Sequence, residues 1–180
     1  MKQRLIHLLC VILLAVTFSA AAQAPRLTVV AAPVKVDGVF GEKEYSLVSD
    51  AAGMKLGLTW TADTLFVGVS APTAGWVAAG LGSAKMDGAV LYIGYVTGAA
   101  TELKVQKGAG HRHADADVDS PTQYAMKETG DQTVLEFAVK SKAVIDKGQK
   151  TLDVVFAMGG ADSFTSVHKA RASLEVGLAE

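Results

Sequence analysis

The chain has 180 residues, 50% of them hydrophobic, with 17 basic and 18 acidic residues giving a formal net charge of −1. That balance leaves no basic footprint for nucleic acid, and the length suits one domain with a sizeable core. The single cysteine, Cys10, lies near the start. The remainder therefore carries no disulfide, thiolate metal site, nucleophilic thiol or Cys-x-x-Cys-His motif for covalent haem.

Residues 1–22 read as a secretory signal peptide. Lys2 and Arg4 supply a positive start, Leu5 to Val16 an apolar run, and Ser19 to Ala24 a string of small residues. The apolar run, about 12 residues, falls short of the roughly 20 that span a bilayer. Ala20-Ala21-Ala22 suits cleavage before Gln23, and Leu9 is not the small residue that a lipoprotein site needs before Cys10. The expected mature domain, 23–180, loses Lys2 and Arg4, so 17 basic residues become 15 against 18 acidic ones. It has no further apolar run that could cross a membrane. The expected destination is the periplasm or the exterior.

From residue 27 onward, apolar and polar residues alternate. Met54, Leu56, Leu58 and Trp60 share one parity, as do Leu65, Val67 and Val69, then Leu91, Ile93 and Tyr95. The pattern returns at Leu135, Phe137 and Val139, and at Leu152, Val154, Phe156 and Met158. Period two over short runs predicts half-buried strands. Val36-Asp37-Gly38, Thr61-Ala62-Asp63, Ala71-Pro72-Thr73, Thr97-Gly98, Gly130-Asp131 and Lys147-Gly148 mark turns between them. The expected fold is all-β, a single antiparallel Ig-like β-sandwich. Helix is confined to single turns near Gly41 to Tyr45 and Lys140 to Asp146. The polar, glycine-bearing stretch from Gly108 to Pro121 reads as a long loop.

The order Leu58-Thr59-Trp60, Leu65-Phe66-Val67-Gly68-Val69, Gly75-Trp76-Val77, Gly80, Met86, Ala89, Gly94-Tyr95 resembles a DOMON domain. Leu135-Glu136-Phe137, Phe156-Ala157-Met158-Gly159 and Asp162 leading to His168 continue it. Val36-Asp37-Gly38 through Glu44-Tyr45 is similar to the opening of the bacterial secreted branch of that family and of related carbohydrate-binding modules. The resemblance spans nearly the whole domain and implies a sandwich that binds b-type haem or a sugar. In the haem-binding members, among them the cytochrome domain of cellobiose dehydrogenase, a Met soon after the Gly-Trp-Val strand and a His near the C-terminus hold the iron. The matching positions here are Met86 and His168.

A thioether and an imidazole on the two faces of a haem fill both axial positions. The soft, neutral sulfur favours the ferrous state and raises the potential, which suits electron transfer rather than substrate turnover. Haem b would be held non-covalently, with Trp76, Tyr92 and Met158, together with Phe66 and Phe164, as apolar candidates to line its pocket. Lys85, Arg112 or Arg171 could meet the propionates, and Lys169 is an alternative ligand to His168. The implied partner is a redox protein, with a membrane b-type cytochrome as the expected class. The alternative function is a carbohydrate or small-ligand module without haem, using exposed aromatics such as Trp60 or Trp76 on a glycan.

A second candidate metal site lies at His111, His113 and Asp115. His-x-His on an extended segment puts both rings on one face, and Asp115, Asp117 and Asp119 continue the parity. The Asp-x-Asp-x-Asp run is no EF-hand, because Ser120 stands where glycine is expected and Met126 where the closing Glu would be. Gly108-Ala109-Gly110 precedes no Lys-Ser/Thr pair, and no Gly-x-Ser-x-Gly elbow occurs. Glu42, Glu44 and Glu136 show no pairing, and Glu136, between Leu135 and Phe137, is expected to point to solvent. The expectation is a binding or carrier domain, not an enzyme.

Overall fold

The computed structural model describes residues 24–179, so the expected signal peptide lies outside the described residues. Two sheets face each other. One has five strands in the order β2 (Leu47–Ala51), β3 (Met54–Trp60), β4 (Thr64–Ala71), β10 (Gln132–Lys140), β9 (Gln123–Thr129). The other has seven, in the order β1 (Arg26–Thr28), β12 (His168–Ala179), β11 (Thr151–Gly159), β5 (Val77–Leu81), β6 (Val90–Thr97), β7 (Ala100–Ala109), β8 (Arg112–Asp115). The all-β sandwich expected from alternation is present. Helix among the described residues is limited to two 3-10 turns, Glu42–Glu44 and Ser141–Ala143.

Two elements differ from expectation. The sandwich is not wholly antiparallel, because β1 pairs in parallel with β12 through Arg26 and Gly177, Leu27 and Leu178. That pairing covers the edge of β12 and carries Leu27 into the core, where it is fully buried. The stretch after Gly108 is not a simple loop either: β7 and β8 form a hairpin that turns at Gly110 and His111.

The core is built from the inward parity of each strand. Leu56 and Leu58 of β3, Val67 and Val69 of β4, and Leu135 and Phe137 of β10 meet Val77 and Ala79 of β5 and Val154 and Phe156 of β11. Tyr92 of β6 stacks on Phe137 across the gap, with centroids 4.3 Å apart. Burying such a ring stabilises by roughly 1.5–3 kcal/mol.

Both sheets are also covered on their outer faces, so β5 is buried at all five positions and β10 at seven of nine. Val34, Val36, Phe40 and Tyr45 lie across the five-stranded sheet, against Phe66, Ala138 and Val48. The Tyr45 ring rests on Gly57 and Gly68, paired neighbours on β3 and β4, where a Cβ would overlap it. Glu136, opposite Gly68 on β10, is fully buried rather than solvent-facing. Its carboxylate accepts hydrogen bonds from the Tyr45 hydroxyl at 2.6 Å, Asp37 N–H at 3.0 Å and Gly38 N–H at 2.9 Å. An anion this deep is tolerable only because its lone pairs are satisfied.

Candidate functional site

The outer face of the seven-stranded sheet collects most of the residues that could carry chemistry. Strand register arranges it in rows. Gly80 of β5 pairs with Leu91 of β6 and Val155 of β11, and Ala78 pairs with Ile93 and Ala157. The central strand thus offers only small side chains outward, with branched residues beside them. The alternation Leu91, Ile93, Tyr95 marks this covered outer face; Val90, Tyr92 and Val96 of β6 face the core.

One end of the face is closed by the β5–β6 loop, residues 82–89, which carries Met86. The Met86 side chain packs against Ala89, Leu91 and Val155. Its carbonyl accepts the Ala89 N–H at 3.1 Å and lies directly on Gly108 of β7, where any Cβ would overlap it. Gly88 and Gly108 exchange further bonds with the neighbouring backbone, Gly88 N–H to the Gly108 carbonyl and Gly108 N–H to the Ala89 carbonyl, both 3.0 Å. The Asp87 carboxylate accepts the Gly110 N–H at 2.8 Å. Met86 is therefore held by the β7–β8 hairpin rather than swinging on a free loop.

The other end is closed by residues 160–167. Trp76, just before β5, is buried on the outer face, and its indole covers Gly159 and donates to Ser166 Oγ at 2.8 Å. Phe164 packs against this cluster of Trp76, Ala78, Ile93 and Ala157 and against Tyr95, with ring centroids 4.7 Å apart. Lys104 of β7 leans over the Phe164 ring, its Nζ 5.0 Å from the centroid. His168 opens β12 opposite Gly159 and is exposed; a β-bulge there leaves Lys169 as the extra residue, its stem beside Gly160. The levels touched by Met86 (Val155) and His168 (Gly159) are four residues apart on β11, about 13 Å at strand rise.

The expected lining residues do not share one surface. Trp76 and Phe164 lie on this outer face, whereas Tyr92 and Met158 point into the sandwich core, and Phe66 belongs to the outer face of the other sheet. Tyr92 and Met158 support the face from beneath and cannot line it. The reason is parity: neighbouring residues of a strand face opposite ways. Burial pushes the Tyr92 phenol up to about 12, with Asp119 adding to the effect.

Of the cations expected near the propionates, Arg171 stands on the outer face, paired with Ala157. Lys85 is exposed in the β5–β6 loop, and Arg112 lies at the hairpin tip opposite Ala109. Lys104, paired with Ile93, is the cation that sequence reasoning passed over. It reads as one polar residue of an exposed strand, and only the register places it beside the apolar rows.

The His111, His113 and Asp115 set does not assemble as a metal site. Among the described residues no group of three or more His, Cys, Asp or Glu side chains is placed to hold an ion. Buried Gln106 instead donates from Nε2 to Asp115 Oδ1 at 2.8 Å and faces His113 Nδ1 with Oε1 at 2.6 Å. The carboxylate can only accept, so Gln106 Oε1 must accept from His113, and the His113 proton sits on Nδ1. His111 is exposed at the turn.

The middle of this face is packed rather than open, because Trp76 and Phe164 rest on Ala78 and Ile93, which are 7% and 4% exposed. Its floor is apolar and low at β5, and its two ends carry a thioether and an imidazole. Leu91 and Val155 lean over Gly80, each within 2.7 Å of where a Cβ would stand. The two tryptophans expected to meet a glycan are buried, Trp60 and Trp76 being 6% and 5% exposed. Among the described residues Tyr124 is an exposed aromatic, at a cavity of about 260 Å³ lined also by Leu103, Val105, Val118 and Pro121. No helix of the described residues is long and apolar enough to cross a membrane.

No family model matches this chain, and no curated protein matches it by sequence. Three solved structures are similar in fold. The cytochrome domain of Myriococcum thermophilum cellobiose dehydrogenase is 11% identical, with TM-score 0.55, over 74% of this chain and 81% of that one. The cytochrome b domain of pyranose dehydrogenase from Coprinopsis cinerea is 13% identical, with TM-score 0.53, over 69% and 76%. A family 9 carbohydrate-binding module from Caldicellulosiruptor kristjanssonii, in complex with cellotriose, is 12% identical, with TM-score 0.51, over 87% and 93%. The chain thus has the β-sandwich fold that cytochrome b domains share with a carbohydrate-binding module.

Proposed function

We propose that this protein is a periplasmic or secreted carrier that holds one haem b non-covalently between Met86 and His168 and passes single electrons to or from a redox partner. The observation that carries the reading is the placement of these two residues at opposite ends of one covered apolar face, over a floor of Ala78, Gly80 and Ala157. When bound, haem would supply a one-electron couple whose potential the Met thioether raises. Met86 and His168 would hold it through sulfur and imidazole nitrogen, Trp76 and Phe164 would shield it from water, and the β7–β8 hairpin would hold Met86 in place. A membrane b-type cytochrome is the partner class this role calls for. No catalytic group is required.

Expression with haem available, followed by visible spectroscopy, tests the proposal. Six-coordinate low-spin bands lost in both Met86→Ala and His168→Ala are expected; a colourless protein that takes up no added haem would overturn it.

A carbohydrate-binding reading draws on the fold shared with the cellotriose-bound module and on exposed Tyr124 beside its cavity. Titration with cello-oligosaccharides decides it: binding lost in Tyr124→Ala, with no haem uptake, would replace the first reading.

A further inference from the structure

The sandwich is filled in layers, and one layer is a ring short. Tyr92 of β6 and Phe137 of β10 stack across the gap between the sheets, their centroids 4.3 Å apart. Their neighbours toward the sheet edges are Val105 of β7, paired with Tyr92, and Tyr124 of β9, paired with Phe137. A valine reaches less far than an aromatic residue, so this second pair does not close the gap as the first does. The cavity of about 260 Å³ lies here, with Leu103 and Val105 of one sheet and Tyr124 of the other in its lining. Val118, Ser120 and Pro121, from the segment joining β8 to β9, complete it. Tyr124 stays 44% exposed, although it shares the core-facing side of β9 with Met126.

Size and chemistry of the lining select the occupant. An apolar cavity of about 150 Å³ is enough to take benzene, so this one has room for a single substituted ring. A pyranose would bring a hydroxyl on most of its carbons, and the lining offers side-chain hydroxyls only at Ser120 and Tyr124. The segment over the cavity also carries Asp117 and Asp119, both exposed. The ion pairs among the described residues involve only Lys35 and Lys55, so neither aspartate is neutralised by one. Burial and then Asp119 raise the Tyr92 phenol, so that carboxylate acts on the layer behind the cavity. Its field favours a cation there and repels an anion.

We propose that this cavity binds a one-ring aromatic amine, its ring between Val105 and Tyr124 and its ammonium toward Asp119. The ring completes the second layer of the stack, and burying its faces supplies most of the affinity. The site is separate from the Met86 face, because Val105 and Lys104 point to opposite sides of β7, and it does not depend on the haem reading.

Calorimetric titration with benzylamine, benzyl alcohol and benzoate tests the site, since the three share a ring and differ in charge. Benzylamine should bind most tightly, then benzyl alcohol, and benzoate least. Val105→Phe puts a protein ring into the cavity and should abolish binding of all three, with circular dichroism checking its fold. Tyr124→Ala, at an exposed position, should weaken benzylamine and benzyl alcohol alike, roughly fivefold. Asp119→Asn should weaken benzylamine about fivefold, as loss of an exposed ion pair does, and leave benzyl alcohol unchanged. Full affinity in Val105→Phe or Tyr124→Ala, or no uptake of any ring by wild type, would overturn the site. Benzoate bound as tightly as benzylamine would overturn the assignment to an amine. Cello-oligosaccharide binding that Val105→Phe abolishes, with none of the three rings bound, would give the cavity to the carbohydrate reading instead.

Discussion

The Tyr45 hydroxyl donates to buried Glu136 at 2.6 Å across 91 positions of sequence, and the ring reaches that carboxylate only because Gly57 and Gly68 lie beneath it. The Asp37 and Gly38 N–H groups complete the shell. The Val-Asp-Gly opening, the Tyr that follows it and the Leu-Glu-Phe strand are thus parts of one structural latch. It fastens the segment before β2 over the five-stranded sheet.

Tyr45→Phe should lower stability by about 1.5–3 kcal/mol, the usual range for losing a hydrogen bond to a charged group. Gly68→Ala should cost at least as much, because its Cβ would overlap the Tyr45 hydroxyl and displace the ring. Urea denaturation of the two variants checks both values. A neutral Tyr45→Phe would mean that water replaces the hydroxyl.

Stability should fall at alkaline pH. Burial, then the Glu136 hydrogen bond, raises the Tyr45 phenol far above its ordinary value, and burial raises Tyr92 to about 12. Both phenols keep their protons in the folded chain above pH 10, where the unfolded chain releases them. The stabilisation is therefore full below about pH 10 and is lost as pH rises through the folded values. Each tyrosine contributes a slope of at most about 1.4 kcal/mol per pH unit. Denaturation midpoints measured from pH 9 to 11.5 should decline more steeply in wild type than in Tyr45→Phe.

Gly108→Ala should disturb Met86 without altering either proposed ligand. The new Cβ meets the Met86 carbonyl, a rigid backbone group, so the β5–β6 loop has to shift. The expected cost is about 1–3 kcal/mol in thermal or chemical denaturation. In haem-loaded protein the low-spin bands should weaken, and unchanged bands would show that Met86 is not a ligand.

Met86→His should lower the reduction potential of the haem-loaded protein, because an imidazole stabilises ferric iron more than a thioether does. Potentiometric titration with optical detection measures the shift. A potential equal to wild type would place the axial sulfur elsewhere.

Much of the fold was legible in the chain itself. Met54, Leu56 and Leu58, or Leu152, Val154 and Phe156, alternate because a strand between core and solvent has no other way to satisfy both sides. The rule failed where both faces of a strand are covered. On β6 the alternating residues Leu91, Ile93 and Tyr95 mark the outer face, and Val90, Tyr92 and Val96 are the ones that face the core. On β10 the same covering turned Glu136 from an expected surface carboxylate into a buried anchor. The Glu136 reversal has no local signal, since its covering partners Asp37, Gly38 and Tyr45 lie 91 to 99 positions away in the chain.

The sequence by itself determined the all-β class, the turns and the lack of cysteines beyond Cys10, and its resemblance to a haem-binding family made Met86 and His168 an expected pair. Only the tertiary structure decided which side of each strand faces what. It separated Trp76 from Tyr92 and Met158, committed His113 to Gln106, and set Lys104 and Arg171 at the ends of one apolar row. The physical reason is register. Side-chain period is local and readable, but which strands lie side by side, and at what offset, is settled by long-range packing of the whole sandwich.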